Sequence, residues 1–450
     1  MAASAASVAR PTVEVLPAAR LEGELRLPGD KSISHRALML ALLTDGESRI
    51  RGAGHGADVR STAGIVRALG AQVERAAAAG GTGNVDYVVR SAGGGAIRQP
   101  DGALDCGNSG TSLRLFAGIL AGQAVDATLD GDASLRSRPM ARIIEPLRAM
   151  GASVEGSEGG RAPLTVIGRS PLEPIDWTTP VPSAQVKSAI LLAGLRAGGM
   201  TVVHESVATR DHTERMLRAR GVAVRSRDDG GGGVVVEIDG GATIRAVDEE
   251  VPGDPSAAAF WLVAGAIHPA AALQLRHVSV NPTRRAILDV LRRMGANIDE
   301  TPIDTPGTDE PIADLAVRSG ELTAVELEPS DTAAAIDEIP ILCLAATQAR
   351  GRSVIRGAGE LRHKESDRIA GIVTGLSALG ARIKTTGDDI VIDGPTVLRG
   401  TVVDSLGDHR LALTFAIAGL VAEGAATVLA ADSVAISYPT FFADLERIRS

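Results

Sequence analysis

A short phrase returns along the chain: an amphipathic run, a glycine, then an alternating run. It reads VRALGAQVE at 66–74, LRAMGASVE at 147–155, LRARGVAVR at 217–225, LRRMGANID at 291–299 and LSALGARIK at 376–384. Apolar residues at helical spacing, a glycine stop and period-two alternation predict the end of an amphipathic helix followed by a strand. The stop glycines are Gly70, Gly151, Gly221, Gly295 and Gly380, spaced 70 to 85 residues apart. A sixth copy starts at SYPTFFADLERIRS.

Between these phrases lies a second recurring unit: a polar loop, a nearly all-apolar helix, then a strand. It occurs six times, beginning DKSISHR, GNSGTSLR, PSAQVKSA, GDPSAAAF, DEIPILCL and GDHRLALT. A helix apolar all round is buried, and one with a single apolar stripe sits on the outside of a core. The chain therefore reads as six α/β repeats, each with one buried helix, one amphipathic helix and several strands. A period this long is not that of the common solenoids. Six units divide most simply into two domains of three repeats.

The polar residues of the second unit collect at helix starts. Helix N-termini carry unpaired N–H groups and about half a positive charge, which makes them anion sites. Composition narrows what they serve. The 450 residues carry 46 basic and 55 acidic side chains, a net charge of −9, which argues against a nucleic-acid or membrane-surface protein. Aromatics at 2% leave no stacking platform for single strands. The two cysteines, Cys106 and Cys343, have no metal spacing, suit a reduced cytosol and read as buried small apolar residues. The start, MAASAASVARPTVEV, lacks the apolar stretch of a signal peptide, and runs such as SAAAFWLVAGAI are too short to span a bilayer. No HExxH, Walker or metal-ligand pattern occurs.

Taken singly, each motif has a bland reading as a cap or a solvated face. PGDKSISHR holds Lys31, Ser32 and Arg36 but lacks the P-loop frame, since Asp30 precedes the lysine. GNSGTSLR holds Asn108, Ser109, Gly110, Thr111 and Arg114, with Thr111 and Arg114 on one helical face. GDASLRSRPMAR puts Arg136 and Arg138 before a proline-started helix, where arginine suits phosphate or carboxylate. PSAQVKSA gives Ser183, Gln185 and Lys187; TRDHTERM gives Arg210, Asp211 and His212; GDHRLAL gives His409 and Arg410. Asp337 and Glu338 open a buried helix, where a carboxylate is dipole-stabilised or acts as a base. LRHKESDRI, 361–369, packs Lys364, Glu365 and Arg368 together; on a continuous helix, Lys364 and Arg368 are like charges at i, i+4. GAGHGA at 52–57 fits a dinucleotide fingerprint, but the same slot in other repeats lacks it, so nucleotide binding is set aside.

Together, PGDKSISHR, NSGTSLR, GDASLRSRP, PSAQVKSA, TRDHTE, LRHKESDR and DHR occur in the order and approximate spacing of one family, over nearly the whole chain. The chain resembles the 3-phosphoshikimate 1-carboxyvinyltransferases, or 5-enolpyruvylshikimate-3-phosphate synthases, of the enolpyruvyl transferases. The resemblance implies a two-domain inside-out α/β barrel, each domain three βαβαββ repeats around a pseudo-threefold axis. The domains would be 1–29 plus 252–450 and an inserted 30–251, with the active site in the cleft between them. The implied reaction moves the enolpyruvyl group of phosphoenolpyruvate to the 5-hydroxyl of shikimate 3-phosphate. It runs by addition and elimination through a tetrahedral intermediate, without metal or cofactor. The two ligands carry roughly −5 to −6, which suits basic helix starts.

Carried over by motif, Lys31 contacts both substrates. Ser32, Arg36, Ser183, Ala184, Gln185, Arg210 and Lys364 hold shikimate 3-phosphate, and Gln185 also reaches phosphoenolpyruvate. Gly110, Arg138, Arg368 and Arg410 hold phosphoenolpyruvate. Asp337 takes the 5-hydroxyl proton, and Glu365 protonates the methylene carbon. A cytoplasmic monomer is expected, with small-molecule substrates and neither nucleic acid nor membrane as partner. The chain departs from many members in three places: Ile436 stands where they have a lysine, Arg210 where others have tyrosine, and His363 where an aliphatic residue is common. Gly110 and Leu115 lie near where inhibitor tolerance is set in the family, and glyphosate sensitivity does not follow from them. Two rivals remain open at this level: the related transferase acting on UDP-N-acetylglucosamine, which usually has a cysteine in the loop read here as GDASLRSRP, and a non-catalytic anion-binding scaffold.

Overall fold

The structure is a computed structural model that describes residues 10–79, 83–305 and 308–450. The chain divides into two compact units. One comprises 28–252 with the described part of 304–311, and the other comprises 10–27, 253–303 and 312–450. The described residues of 304–311 thus go with the 28–252 unit, although the repeats assign them to the other. Each unit has its own apolar core.

In the 28–252 unit the buried helices are Lys31–Leu43, Gly110–Ala121 and Ala184–Gly194. The amphipathic ones are Ala57–Ala68, Ala141–Ala149 and His212–Ala219. In the other unit the buried helices are Pro255–Ile267, Ile339–Gln348 and His409–Val421. Every residue from Pro255 to Ala266 is buried, as an all-apolar helix requires. The amphipathic helix Ala286–Arg293 buries only Ile287, Leu288, Val290 and Leu291. Small residues let the buried helices touch: a Cβ on Gly118 would lie 2.2 Å from the Ala189 carbonyl oxygen. The five stop glycines all have positive φ, between 81° and 107°, the left-handed conformation that closes a helix.

Among the described residues each unit carries three sheets. A typical one places Asp126–Asp130 centrally, parallel to Leu104–Asp105 and antiparallel to Arg161–Ile167, which pairs in turn with Ser153–Ser157. Two features of the pairing are absent from the repeat pattern. Leu21–Arg26 precedes the helix Lys31–Leu43 but pairs with Ala271–Ser279, while Glu249–Glu250 precedes Pro255–Ile267 but pairs with Asp45–Ala53. The short first strands of two repeats are therefore exchanged where the chain passes between units. The last repeat has no hairpin of its own. Thr12–Val15 supplies the missing strand, antiparallel to Ala426–Leu429, with Val13 opposite Val428.

The scarce aromatics are concentrated at this closure. Trp261 stacks on Phe441 with centroids 4.9 Å apart and donates from Nε1 to Tyr438 Oη at 3.1 Å. This seats the last helix, Phe441–Ile448, on the buried Pro255–Ile267.

Candidate functional site

The residues singled out in the sequence fall into two clusters, one in each unit. Both form because helix starts carry the polar residues. In the 28–252 unit, Asp30 caps Lys31–Leu43 by accepting from Ile33 N at 2.8 Å, which sets Lys31 in the first turn. Lys31 Nζ is paired with Asp58 Oδ2 in the first turn of Ala57–Ala68. Burial pushes the Asp58 carboxyl up, but Lys31 outweighs it and holds the pKa below the ordinary range. One turn on, Arg36 is buried. Its Nε donates to Thr213 Oγ1 at 2.7 Å, its Nη2 to Ser188 Oγ at 2.8 Å and its Nη1 to the Ser32 carbonyl at 3.0 Å. Burial pulls its pKa down to about 10, against the pull of Glu214.

Ser109 caps Gly110–Ala121 through Ser112 N at 3.0 Å. Gly110 opens that helix, and a Cβ there would lie 2.8 Å from Arg114 Nη1 and 3.4 Å from Arg138 Nη1. Arg138 Nη2 is held by Asn108 Oδ1 at 2.6 Å, and Asn108 in turn by Asp132 at 2.8 Å. Arg114 donates to Gln185 Oε1 at 2.5 Å, and Gln185 Nε2 donates to Thr111 Oγ1 at 2.9 Å. Burial, with Arg138 and Arg142 nearby, lowers the Arg114 pKa to about 10. Gln185 lies in the first turn of Ala184–Gly194, capped by Ser183 through Val186 N at 3.4 Å. Arg210 stands on the loop before His212–Ala219, half-buried and within electrostatic reach of Arg36. This unit therefore gathers Lys31, Ser32, Arg36, Gly110, Arg138, Ser183, Ala184, Gln185 and Arg210 around three helix starts.

Lys187, named with Ser183 and Gln185 at that helix start, lies away from them in the interior. It is buried at the fourth helical position, with Nζ 2.7 Å from Glu205 Oε2 and 2.8 Å from Glu214 Oε1. His212, also drawn from a motif, is buried against Glu310 at 2.7 Å, and Asp211 bonds Arg215 at 2.8 Å. The short helix Ala133–Ser137 carries Arg136, and the next helix starts at Ala141 rather than at the proline.

In the other unit LRHKESDRI is not one helix. A 3₁₀ turn spans Ala358–His363, Lys364 to Asp367 form a break, and Asp367 caps a new helix at Arg368 by accepting from Ala370 N at 2.9 Å. The i, i+4 repulsion of Lys364 and Arg368 therefore does not arise. Arg368 is 1% exposed and sits among three carboxylates. Nε donates to Asp408 Oδ2 at 2.8 Å, Nη2 pairs with Glu365 Oε2, and Nη1 lies 3.7 Å from Asp337 Oδ1. Arg410, in the first turn of His409–Val421, donates from Nη1 to the Asp337 carbonyl at 2.9 Å, and its Nη2 lies 3.6 Å from Asp337 Oδ2. Glu338 Oε1 lies 3.6 Å from Arg410 Nη1 and accepts from Ser256 Oγ.

The balance of charge sets the protonation states. Burial pushes the Glu365 carboxyl up, but Arg368, helped by His409, holds it below the ordinary range. Burial also raises Asp408, and Arg368 more than reverses it. Burial, with Arg410 beside it, lowers His409 to about 4, so that its imidazole is neutral at neutral pH. For Arg410 burial is outweighed by Asp337 and Glu338, and the guanidinium stays charged. A carboxylate beside a shared arginine can exchange that partner for an incoming anion and regain its proton affinity.

Several members of these clusters are absent from the motif reading: Asp58, Ser188, Thr213, Ser256, Ser366 and Asp408. Asp408 caps its helix through Arg410 N at 2.8 Å and accepts from Ser366 Oγ at 3.1 Å, so Asp before an apolar run was its signal. Ser188 and Thr213 lie inside helices and have no such signature. Ile436, where a lysine was expected from the resemblance, is exposed on the turn Ala431–Ile436. Among the described residues no group of His, Cys, Asp and Glu could hold a metal, and no helix is long and apolar enough to cross a membrane.

Residues 15–445 match the family model described as EPSP synthase (3-phosphoshikimate 1-carboxyvinyltransferase). The chain is 50% identical over 438 residues to the 3-phosphoshikimate 1-carboxyvinyltransferase of Gloeobacter violaceus, covering 97% of this chain and 98% of that protein. It is 46% identical over 430 residues to a protein of the same name from Bacillus cereus, covering 95% and 97%. Its structure matches an EPSP synthase from Acinetobacter baumannii with a TM-score of 0.88 and 38% identity, covering 97% of this chain and 98% of that one.

Proposed function

The chain belongs to the EPSP synthase family, and we propose on that premise that it transfers the enolpyruvyl group of phosphoenolpyruvate to the 5-hydroxyl of shikimate 3-phosphate and releases phosphate. The observation that carries the mechanism is Arg368, a buried cation shared by Asp337, Glu365 and Asp408.

In the addition step the 5-hydroxyl oxygen bonds to C2 of phosphoenolpyruvate. Asp337 takes the hydroxyl proton, and Glu365 gives a proton to the methylene carbon C3. Both carboxylates lean on Arg368. When the anionic phosphoenolpyruvate takes over that guanidinium, Glu365 loses the charge that depresses its pKa and meets a phosphate, which raises it. The ligand thereby loads the acid that attacks its own double bond. In the elimination step the Glu365 carboxylate takes a proton back from C3, the C2–O bond to phosphate breaks, phosphate leaves, and the enol ether forms. Arg410 holds phosphoenolpyruvate alongside Arg368.

From the 28–252 unit, Lys31 contacts both substrates. Ser32, Arg36, Ser183, Ala184, Gln185, Arg210 and Lys364 are the shikimate 3-phosphate ligands of this reading. Gly110 and Arg138 contact phosphoenolpyruvate, as does Gln185. Neither cluster needs a metal to balance the ligands, because guanidinium groups and helix starts supply the charge.

The test is phosphate release from phosphoenolpyruvate, measured with shikimate 3-phosphate, with UDP-N-acetylglucosamine and with neither. Release that requires shikimate 3-phosphate is expected. Release with the UDP-sugar alone, or tight binding of shikimate 3-phosphate without turnover, overturns the assignment.

A further inference from the structure

Lys187 is a buried cation that the proposed chemistry does not use. Its helix is the one whose first residues, Ser183, Ala184 and Gln185, are assigned to shikimate 3-phosphate. Its ammonium reaches two other elements. Glu205, the last residue of the strand Met200–Glu205, lies 2.7 Å away, and Glu214 of the helix His212–Ala219 lies 2.8 Å away. All three side chains are at most 2% exposed.

Between those two elements runs the loop 206–211, which bears Arg210. Glu205 folds the loop back on itself. Its Oε1 accepts from Thr209 Oγ1 at 2.5 Å and its Oε2 from Thr209 N at 3.4 Å. Lys187 Nζ itself donates to the Thr209 carbonyl at 3.4 Å. Thr209, directly before Arg210, is therefore held by the ion cluster at two backbone atoms and its hydroxyl.

The adjoining residue on each helix, Ser188 after Lys187 and Thr213 before Glu214, repeats the device. Ser188 Oγ and Thr213 Oγ1 are 2.7 Å apart, and both accept from the Arg36 guanidinium. Lys187 with Glu214, and Ser188 with Thr213, form one polar seam between two helices in an otherwise apolar core. That seam fixes Arg36, Arg210 and the Ser183 helix start against each other. Glu214 is the carboxylate that most strongly favours the Arg36 charge. Two cations and two carboxylates thus balance inside the seam. A buried ion pair adds little net stability over apolar packing, but its directional contacts fix one register of the elements it joins. A binding constellation must be held within roughly 0.5 Å of its working geometry.

We propose that Lys187, through Glu205 and Glu214, is the positioning residue for the shikimate 3-phosphate end of the site, setting Arg210 and Arg36 against the Ser183–Gln185 helix start. It touches no substrate. The proposal rests on the functional reading above and adds to it the element that orders the phosphate-binding half.

Lys187→Met alone strands two buried carboxylates, so loss of fold in that variant would report stability rather than positioning. Two milder variants carry the test. Lys187→Met/Glu205→Gln removes one charge of each sign and leaves an amide oxygen for Thr209. Thr209→Val removes the hydroxyl bond to Glu205 Oε1, the shortest tie between loop and cluster, without touching the ion pair. KM for shikimate 3-phosphate is expected to rise about tenfold in both. KM for phosphoenolpyruvate, measured at saturating shikimate 3-phosphate, and kcat should each stay within about threefold. Shikimate 3-phosphate binding, followed by calorimetry, should weaken by the same factor as its KM rises. Thr209→Val with wild-type KM values overturns the proposal. So does an equal loss in both KM values or in kcat alone, which a merely structural role would give. If the wild-type chain turns over and the variants match it, the positioning role fails and the functional reading stands. If the wild-type chain neither binds nor turns over shikimate 3-phosphate, the functional reading fails and takes the positioning role with it.

Discussion

Arg368 and Asp408 form a buried pair, Nε to Oδ2 at 2.8 Å, with exposures of 1% and 0%. Removing the cation leaves Asp408 charged and out of water. Arg368→Met should therefore cost about 3–5 kcal/mol in urea unfolding, and Arg368→Met/Asp408→Asn should recover much of it. A single variant as stable as the double one would show that Asp408 finds another partner.

The same pair sets an acid limit. The Asp408 pKa is lowered in the fold, so its contribution to stability is present above the unfolded value of about 3.9 and is lost as pH falls through the folded value. In Asp408→Asn that acid-side loss should shrink, read as a smaller difference in urea midpoint between pH 5 and pH 3.

His35 gives a pH dependence of the opposite origin. Its Nδ1 lies 2.7 Å from Thr62 Oγ1, and burial, with Lys31 nearby, lowers its pKa from 6.5 to about 3. Between those values the unfolded chain binds a proton that the folded one refuses, so stability falls as pH drops below about 6.5. At pH 5 the loss from this residue is about 2 kcal/mol relative to pH 7. His35→Asn keeps a polar group near Thr62 and should flatten the slope by about one proton, read from urea midpoints across pH 5 to 7.

Glu365→Gln should retain both substrates and lose most of kcat, by about a hundredfold or more if the proton reaches carbon through this group. Turnover close to wild type would remove Glu365 from the mechanism. In the unliganded protein a carboxyl titration by NMR should find Glu365 below the ordinary range, because Arg368 holds it there. Adding both ligands should move it up.

Gly110→Ala presses a methyl group toward Arg114 and Arg138. Guanidinium tips can shift, and the shift breaks the 2.5 Å contact from Arg114 to Gln185. KM for phosphoenolpyruvate should rise about tenfold, while the melting temperature changes little. An unchanged KM would mean that the two arginines have room to spare.

The repeat of helix, glycine and strand was legible because each part has a local cause. Gly70, Gly151, Gly221, Gly295 and Gly380 end helices by taking positive φ, and apolar content separates the buried helices from the amphipathic ones. Strand partnership was not legible. Leu21–Arg26 and Glu249–Glu250 exchange sheets, and short strands carry no mark of which neighbour they join. In the site, arginines at helix starts announced themselves, and Arg36, Arg368 and Arg410 are all built into hydrogen-bonded clusters. The burial of Lys187 was not legible, because one turn of helix separates a mouth from an interior and composition does not tell them apart. Ser188 and Thr213 stayed hidden because a small hydroxyl in a helix has no pattern until an arginine is placed against it.

The strand Thr12–Val15 sets an order of events during synthesis. Its partner Ala426–Leu429 lies more than 400 residues later, so a ribosome adding 5–20 residues per second leaves it unpaired for roughly 20 to 80 s. The 28–252 unit is contiguous but for eight residues and can form while that strand waits. The unit holding Arg368 and Arg410 closes only when the last helix has emerged. A stalled or clipped chain would therefore present one finished unit, one open sheet edge and no assembled carboxylate–arginine cluster.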